Sequence, residues 1–464
     1  MKPLTNAFFL SALCLIAGCV TQSPESQNDL PELQQHVPDD WSQVVITGEL
    51  AEDWIHDFGD ANLVNLVETA FKHNPSLQAA VYRLQQAEAN AQIAGALRYP
   101  SLGIGFSSDK RKLLFDPLGS FETSTHSLSL SSQWELDIWG KVRDQHSATL
   151  AMMEASGYDL EALRLSLVAQ ISKAWFNAKE LLYQHDLAVQ SSASFDTNLK
   201  VLESRYQRGL VQAFDLRLSR SQAAVVRAQI NVSETSLDQA IRLLETLVGD
   251  YPGRKIEVTK DLPAAVMPIP AGLPASLLEQ RPDLLAAERR LAALGATFKV
   301  AKKNRLPDIT LTGSLGQAST DLGNLLDGDS SVWSLAGNIA APIFLGGQLG
   351  AQQRFAEAQF NEQVSNYENA ILNAFREVET ALANRGYLQD LVEELILAAD
   401  QSSKALTQAW LLYDRGLMDI TAVLDAERRS FETRRESISA INRILQNRID
   451  LYVALGGGFN LDEE

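Results

Sequence analysis

Residues that could support catalysis are few and scattered in this chain of 464 residues. It contains 2 Cys and 6 His, and no group of these has the spacing of a metal site. The serines lack a His and Asp arrangement for nucleophilic catalysis, and the glycine-rich segment 346–350 fits neither the dinucleotide nor the P-loop spacing. We therefore expect no enzyme activity, no metal and no bound cofactor.

Cys19 is the residue with a predicted chemical modification. Lys2 is followed by a short apolar stretch at 7–17, and small residues precede the cysteine. This order resembles a bacterial lipoprotein signal, so we expect residues 1–18 to be cleaved and Cys19 to carry diacylglycerol and an N-acyl chain. Val20, at the next position, favours sorting to the outer membrane. The alternative is an ordinary signal peptide that happens to end near a cysteine.

Charge and composition exclude several classes of protein. The chain has 40 Lys and Arg against 58 Asp and Glu, a net charge of −18, which is unfavourable for binding nucleic acid. Prolines in the segment 19–60, with little periodicity, indicate a tether or strap between the lipid and the folded part.

The chain repeats itself at an offset of 207 residues. The offset aligns Pro75, Leu77, Ala79, Ala80, Arg83, Leu84, Ala94, Arg98 and Pro100 with Pro282, Leu284, Ala286, Ala287, Arg290, Leu291, Ala301, Arg305 and Pro307. It also aligns Tyr206, Arg208, Gly209, Leu210 and Gly249 with Tyr413, Arg415, Gly416, Leu417 and Gly456. We infer a duplication, with repeats at 61–250 and 275–457, a linker at 251–274 and a tail at 458–464.

Each repeat is predicted to contain two long helices that meet at an Arg-Gly-Leu turn. No proline occurs between Pro117 and Pro252 or after Pro342, and glycines are rare in the same regions. A helix over 141–208 would be on the order of 100 Å long at 1.5 Å per residue. Such helices need antiparallel coiled-coil partners in an assembly of several chains.

Four segments alternate with a period of two, which indicates β-strands. Their apolar faces consist of Leu102, Ile104 and Phe106; Leu128, Leu130, Trp134, Leu136 and Ile138; Ile309, Leu311 and Leu315; and Trp333, Leu335, Ile339 and Ile343. A half-buried soluble sheet would explain any one segment, but the export signal and the nearby tryptophans favour transmembrane barrel strands. Four strands cannot close a barrel, so the barrel must be shared between subunits.

Over the whole mature chain the sequence resembles the TolC-like outer-membrane factors, in the lipidated drug-efflux branch related to OprM. The resemblance depends on the motif ending at Cys19, on Arg-Pro-Asp-Leu at 281–284, on Ala-Pro-Ile-Phe-Leu-Gly-Gly at 341–347, and on Tyr-Asp-Arg-Gly-Leu at 413–417 followed by Val-Leu-Asp-Ala at 423–426. It implies an α+β membrane protein: a homotrimer in which four strands per subunit form a twelve-stranded β-barrel that continues into a long α-helical periplasmic tunnel.

The resemblance also implies partners and contact residues. The channel would be opened by a periplasmic membrane-fusion adaptor and an inner-membrane pump, expected to be a proton-driven resistance-nodulation-division pump. The helical tips that meet the adaptor would be Arg208, Gly209, Leu210, Arg415, Gly416 and Leu417. A plain turn without a partner is the alternative for both glycines.

A gate is implied at Asp425, which matches the family's ring of constriction aspartates. Three carboxylates around a threefold axis would repel, raise one another's pKa and attract cations. Thr421, one turn earlier, stands where the branch can carry a large apolar residue, and Arg428, one turn later, can pair with a neighbouring carboxylate. Asp215 is the weaker counterpart in the first repeat. The alternative for Asp425 is a solvated surface carboxylate.

Two other functions remain open at this point. One is a type I protein-secretion conduit, which would share the architecture but carry a different cargo. The other is a periplasmic coiled-coil scaffold lipoprotein whose strands form a soluble sheet. The exported substrate is not encoded in any of these motifs.

Overall fold

The computed structural model describes residues 40–42, 54–115, 119–260, 262–263, 269, 271, 274 and 277–457. All of them belong to one compact unit that begins at Asp40. Cys19, the predicted signal peptide at 1–18 and the predicted tail at 458–464 lie outside the described residues.

The chain runs through two similar halves. After a short 3-10 helix (Trp54–Phe58), the first half contains α1 (Ala61–His73), α2 (Pro75–Ala96), β1 (Ser101–Phe115), β2 (Gly119–Glu135), α3 (Lys141–Gln207) and α4 (Ala213–Val248). The second contains α5 (Leu277–Gln280), α6 (Pro282–Lys303), β3 (Asp308–Ser319), β4 (Ser331–Ala340), α7 (Gln348–Asp414) and α8 (Ile420–Ala454). Helices α3 and α7 each have 67 residues, which corresponds to about 100 Å.

The four strands form one antiparallel sheet in the order β1-β2-β3-β4. Its register places Ile104 opposite Leu130, Leu130 opposite Leu315, and Leu315 opposite Trp333. Because opposite residues in a ladder point to the same side, the apolar side chains of all four strands share one face. On the other face, serine hydroxyls bridge neighbouring strands, as at Ser314 and Ser334, 2.8 Å apart.

Two strand boundaries differ from the sequence prediction. The strand predicted over 127–138 is β2, which begins at Gly119 and ends at Glu135. Apart from Phe121, its first half is polar on both faces, so it gives no alternating signal. It ends early because Asp137 turns the chain and accepts hydrogen bonds from the backbone N–H groups of Val142 and Arg143, at 2.9 and 2.8 Å. Likewise β4 ends at Ala340, so Ile343 lies beyond it.

Side chains from both halves pack into a large base core around Trp54, Trp175, Phe176, Ile371 and Tyr452. Gly249 and Gly456, equivalent under the 207-residue offset, end α4 and α8 beside this core with φ of +89° and +76°. A Cβ on Gly249 would lie 2.4 Å from the His73 carbonyl oxygen, and one on Gly456 would lie 2.9 Å from that of Gln280. Both helix ends therefore require glycine for space and for conformation.

A buried ion pair fastens the base core. Asp60 caps α1 by accepting from the backbone N–H groups of Asn62 and Leu63, at 3.1 and 3.3 Å. Its other oxygen accepts from Trp175 at 2.7 Å and from Lys179 at 2.6 Å, and the Lys179 side chain is only 2% exposed. Although burial opposes ionisation, the hydrogen bonds from Lys179 and Trp175 hold the pKa of Asp60 below its ordinary value.

In each half, one buried side chain of the last helix binds a segment that lies outside the α-helices. Glu245 on α4 accepts hydrogen bonds from the backbone N–H groups of residues 254–256, at the start of the linker between the halves. Tyr452 on α8 stacks on Trp54 with ring centroids 5.0 Å apart and donates a hydrogen bond to Asp57. The residues of the predicted tether that lie at 54–60 thus pack against α8.

Candidate functional site

The two Arg-Gly-Leu turns have the same backbone geometry. Gly209 and Gly416 adopt φ of +75° and +73°. The N–H of Leu210 donates to the carbonyl of Arg205 at 3.0 Å, and the N–H of Leu417 donates to that of Leu412 at 2.9 Å. This Schellman arrangement ends a helix sharply and leaves the residue after glycine projecting outward. Accordingly, Leu210 and Leu417 are each 70% exposed.

The structure brings the two turns together at one end of the molecule. Arg205, at the end of α3, pairs with Asp414, at the end of α7, at 2.8 Å, and its guanidinium lies 5.0 Å from the Tyr413 ring centre. Beneath them is a small tip cluster whose buried members are Leu202, Leu216, Ala409, Tyr413, Ile420 and Val423. Arg208 and Arg415 are exposed. All six predicted tip residues therefore lie beside one another, on either side of the Arg205–Asp414 pair.

Asp425 lies on the exposed side of α8, two turns beyond the tip. It accepts hydrogen bonds from Arg428 and from Arg429, both at 2.8 Å. Arg428 also binds Glu432 at 3.1 Å. The predicted pairing of Arg428 with a carboxylate thus occurs within its own helix, while a bridge to another subunit stays a prediction. Arg429 and Glu432 were missed, although i,i+4 spacing of opposite charges on a helix predicts such pairs.

The two arginines change the electrostatics expected at Asp425. Hydrogen bonds from Arg428 and then Arg429 lower the pKa of Asp425 within one subunit. The sequence predicted the opposite, an increase in pKa caused by repulsion between three Asp425 carboxylates. That expectation applies to the trimer and not to one subunit. Together with Glu432, the charges cancel within each subunit, so Asp425 does not act as an isolated negative charge.

The other two predicted gate residues differ in environment. Thr421 is exposed in the first turn of α8 and points away from the buried Val423. Asp215 is half-buried in the first turn of α4 and forms no ion pair within the described part of the chain. Its neighbour Leu216 joins the tip cluster with Ile420 and Val423, so the first turns of α4 and α8 are packed together. No hydrogen bond joins Asp215 to Asp425 among the described residues.

Glu427 is a buried ionisable residue that the sequence did not single out. It lies on the opposite side of α8 from Asp425 and is 4% exposed. Asn198 on α3 donates to its Oε1 at 2.7 Å, whereas its Oε2 is buried and accepts no hydrogen bond. Burial raises the pKa of Glu427 to about 7, opposed by the hydrogen bond from Asn198 and by the nearby polar groups of Trp410 and Ser194, which lie too far away or at too poor an angle to complete a hydrogen bond. Its burial depends on α3 and α7, which the sequence of α8 alone does not reveal.

The described residues contain neither a membrane-spanning helix nor a metal-binding cluster. No helix among them is both long enough and apolar enough to cross a bilayer. In the same residues, no group of three or more Cys, His, Asp or Glu side chains is arranged to hold a metal ion.

Comparison with known proteins identifies the architecture. The sequence model for outer membrane efflux proteins matches the chain twice, at residues 66–250 and 273–457. The two matches are offset by 207 residues at both ends, the same offset as in the repeat. The duplication predicted from the sequence is therefore confirmed.

Curated relatives extend over almost the full chain. The cation efflux system protein CusC of Escherichia coli O6:H1 is 31% identical and covers 99% of this chain and 100% of its own length. The outer membrane protein OprJ of Pseudomonas aeruginosa is 30% identical and covers 98% of this chain and 96% of its own length. The probable outer membrane lipoprotein SilC of Salmonella typhimurium is 29% identical, with 97% and 98% covered.

Solved structures share the fold. The outer-membrane channel OprN superposes with a TM-score of 0.87 at 26% identity, covering 94% of this chain and 99% of its own. The outer membrane protein VceC of Vibrio cholerae superposes with a TM-score of 0.83 at 27% identity, covering 89% of this chain and 100% of its own.

These likenesses confirm the resemblance, the trimeric channel fold and the outer-membrane location that the sequence predicted. They also confirm the role in efflux. The long paired helices, the four-stranded sheet and the double match agree: the chain belongs to the outer membrane efflux protein family.

Proposed function

We propose that this chain is the passive exit channel of a three-part efflux system and that it exports small molecules through a gate at its helical tips. The observation that carries the proposal is the tip itself, where two glycine turns expose Leu210 and Leu417 at 70% each. Paired apolar side chains at the end of a helix about 100 Å long are suited to contact a partner protein. An adaptor bridging to an inner-membrane pump of the resistance-nodulation-division type is the partner we propose.

The assembly follows from the sheet. Strands β1 and β4 are the edges of the four-stranded sheet of one subunit, and edges cannot remain unpaired in lipid. Three copies, each pairing β4 with β1 of the next, would give twelve strands and place the apolar face toward lipid. We propose that the repeats have the bounds 61–250 and 275–457, joined by the linker at 251–274.

Lipid on Cys19 is proposed as the membrane anchor. It is supported by the order of residues before Cys19 and by the likeness to SilC, which is named as a probable lipoprotein. Radiolabelled palmitate should be incorporated into the wild-type protein and not into Cys19→Ser. The variant should still require detergent for extraction, because the barrel holds it. Release of Cys19→Ser as a soluble protein would instead favour the periplasmic scaffold.

We propose that the inner-membrane pump, and not this channel, selects the exported substrate. The relatives include proteins named for cation efflux and for toluene efflux, so the shared architecture serves different cargoes. We propose small molecules or ions as the cargo and prefer them to secreted proteins, because the full-length relatives named for a cargo are efflux components.

Planar-bilayer conductance of the purified protein tests the channel and its gate. We expect small, mostly closed currents from the wild type. Asp425→Ala removes one carboxylate from a charge-balanced group and leaves Arg429 without this partner while Arg428 keeps Glu432, so the open probability should rise and cation preference should fall in a KCl gradient. Asp450→Ala is the matched control, since Asp450 lies on the same helix, exposed and paired with Lys173. A folded trimer that never conducts would contradict the proposal.

A further inference from the structure

The contact between α3 and α8 contains two buried glutamates of different character. We call this contact the seam and define it by the Asn198–Glu427 and Glu180–Asn442 hydrogen bonds. Helix α3 belongs to the first repeat and α8 to the second. The seam therefore joins the helical hairpins of the two repeats.

At Glu180 the carboxylate is satisfied. Its Oε1 accepts from Gln184 at 2.6 Å, and its Oε2 accepts from Asn442. A buried carboxylate with both oxygens hydrogen-bonded can remain charged at low cost.

At Glu427 the carboxyl is only half satisfied. Its Oε2 receives no hydrogen bond although Glu427 is 4% exposed. The side chain borders a cavity of about 230 Å³ between α3, α7 and α8, whose other lining residues include Ser194, Phe195, Leu406, Phe431 and Arg434. A cavity of this size with polar groups can admit water, so the packing here has room to change.

The groups that face Glu427 are mostly neutral. Asn198 and Ser194 approach from α3, and Trp410 approaches from α7. The charged side chain lining the cavity is Arg434, two turns further along α8, whose side chain forms no ion pair in the described residues. A proton on Oε2 removes the cost of a buried negative charge, whereas its loss favours entry of water or movement of the carboxylate toward Arg434.

We propose that Glu427 is a proton-operated latch between the two repeats: protonated, it keeps the seam packed and the tip closed; deprotonated, it loosens the seam and favours opening. This inference rests on the proposed channel function. The direction follows from linkage, because the packed state, with its pKa raised to about 7, binds the proton more tightly than an exposed carboxyl does. The packed seam is then least destabilised at acidic pH, loses stability as the pH rises from the ordinary carboxyl value of 4.5 to about 7, and changes little above that.

Conductance against pH is the first test. Between pH 5.5 and about 7 the open probability of the wild type should rise several-fold, and from there to pH 8.5 it should change little. Glu427→Gln keeps the size and the hydrogen-bonding capacity without the charge, so it should stay mostly closed throughout. Glu180→Gln is the matched control at the same seam, and it should retain the wild-type pH dependence. A pH-independent wild-type channel, or identical profiles for wild type and Glu427→Gln, would overturn the latch and leave the channel function standing.

A second measurement needs no variant. Amide hydrogen exchange of the wild-type protein, corrected for the intrinsic effect of pH, should become faster as the pH rises from 5.5 to about 7 in peptides covering 420–435. Peptides covering 172–186, around Glu180, should keep constant protection. Equal behaviour of both segments would contradict the proposal even if no variant folded. Absence of conductance at any pH, with the expected exchange, would instead count against the channel function alone.

Discussion

The base and the tip of the long helices are built differently. At the base, side chains from both halves surround Trp54, Trp175 and Tyr452, and a buried ion pair joins Lys179 to Asp60. At the tip, six buried residues form a small cluster under exposed leucines. More buried apolar area makes a region harder to open. We infer that the base is the fixed part of the molecule and that the tip is the part built to move.

Removing the buried carboxylate should cause the largest loss of stability. Asp60→Ala deletes the cap of α1 and leaves the buried charge of Lys179 without this carboxylate, so we expect about 3–5 kcal/mol of destabilisation. Denaturant unfolding of the detergent-solubilised protein measures it. The control is Asp450→Ala, which breaks an exposed pair between Asp450 on α8 and Lys173 on α3, the helix that also carries Lys179. It should cost below about 1 kcal/mol. Equal losses would show that burial does not decide how strongly an ion pair holds the base.

Two left-handed glycines of the first repeat, one at the base and one at the tip, should respond unequally to substitution. At Gly249, an alanine Cβ would meet the His73 carbonyl oxygen at 2.4 Å in addition to the strain of φ +89°, so Gly249→Ala should cost about 3 kcal/mol. At Gly209, φ is +75° with nothing within 4 Å, so Gly209→Ala should cost only about 1 kcal/mol. Melting temperatures of the two variants check the ranking, and a larger loss at Gly209 would reverse the comparison.

Acidic pH should lower the stability of the base core. The folded-state pKa of Asp60 is lowered, so its contribution is present above the unfolded value near pH 4 and is lost as the pH falls through the folded pKa. The melting temperature of the wild type should therefore drop below about pH 4. Asp60→Asn should be less stable at neutral pH and should show a smaller part of this drop. Glu427 has the opposite sign, since acidification favours its packed state.

The smallest effect is expected at the Arg205–Asp414 pair. Its side chains are 29% and 61% exposed, and exposed pairs contribute about 0.2–1 kcal/mol. A double-mutant cycle of Arg205→Ala and Asp414→Ala should give a coupling in that range. A coupling above about 2 kcal/mol would show that the tip is held by more than its apolar cluster.

The fold could be predicted from the sequence because its signals are long and repeated. The offset of 207 residues, the absence of proline over the long helices and the alternation in four segments all concern many residues. The first half of β2 was missed because, apart from Phe121, its residues are polar on both faces and do not alternate. Helices α1, α2 and α6 were not assigned, although Pro75 and Pro282 stand at equivalent starts.

The site was predictable only in part. The tip glycines were found because a sharp reversal between helices favours a left-handed residue, and Asp425 was found through the family motif. Lys179 and Glu427 could not be recognised, since a polar residue on a helix is ordinarily solvated. Their burial depends on α1, α3 and α7, elements distant in sequence that contact one another only in the folded chain.

Glu245 and Tyr452 stand at the same position of the two repeats, 207 residues apart. Both are buried, at 1% and 2% exposure, and each holds a segment that lies outside the helical hairpins. One uses a carboxylate to collect three backbone N–H groups of the linker, and the other uses an aromatic ring to seat the residues before α1. After duplication, one ancestral position thus acquired two chemistries, each matched to the connection that its own copy had to secure.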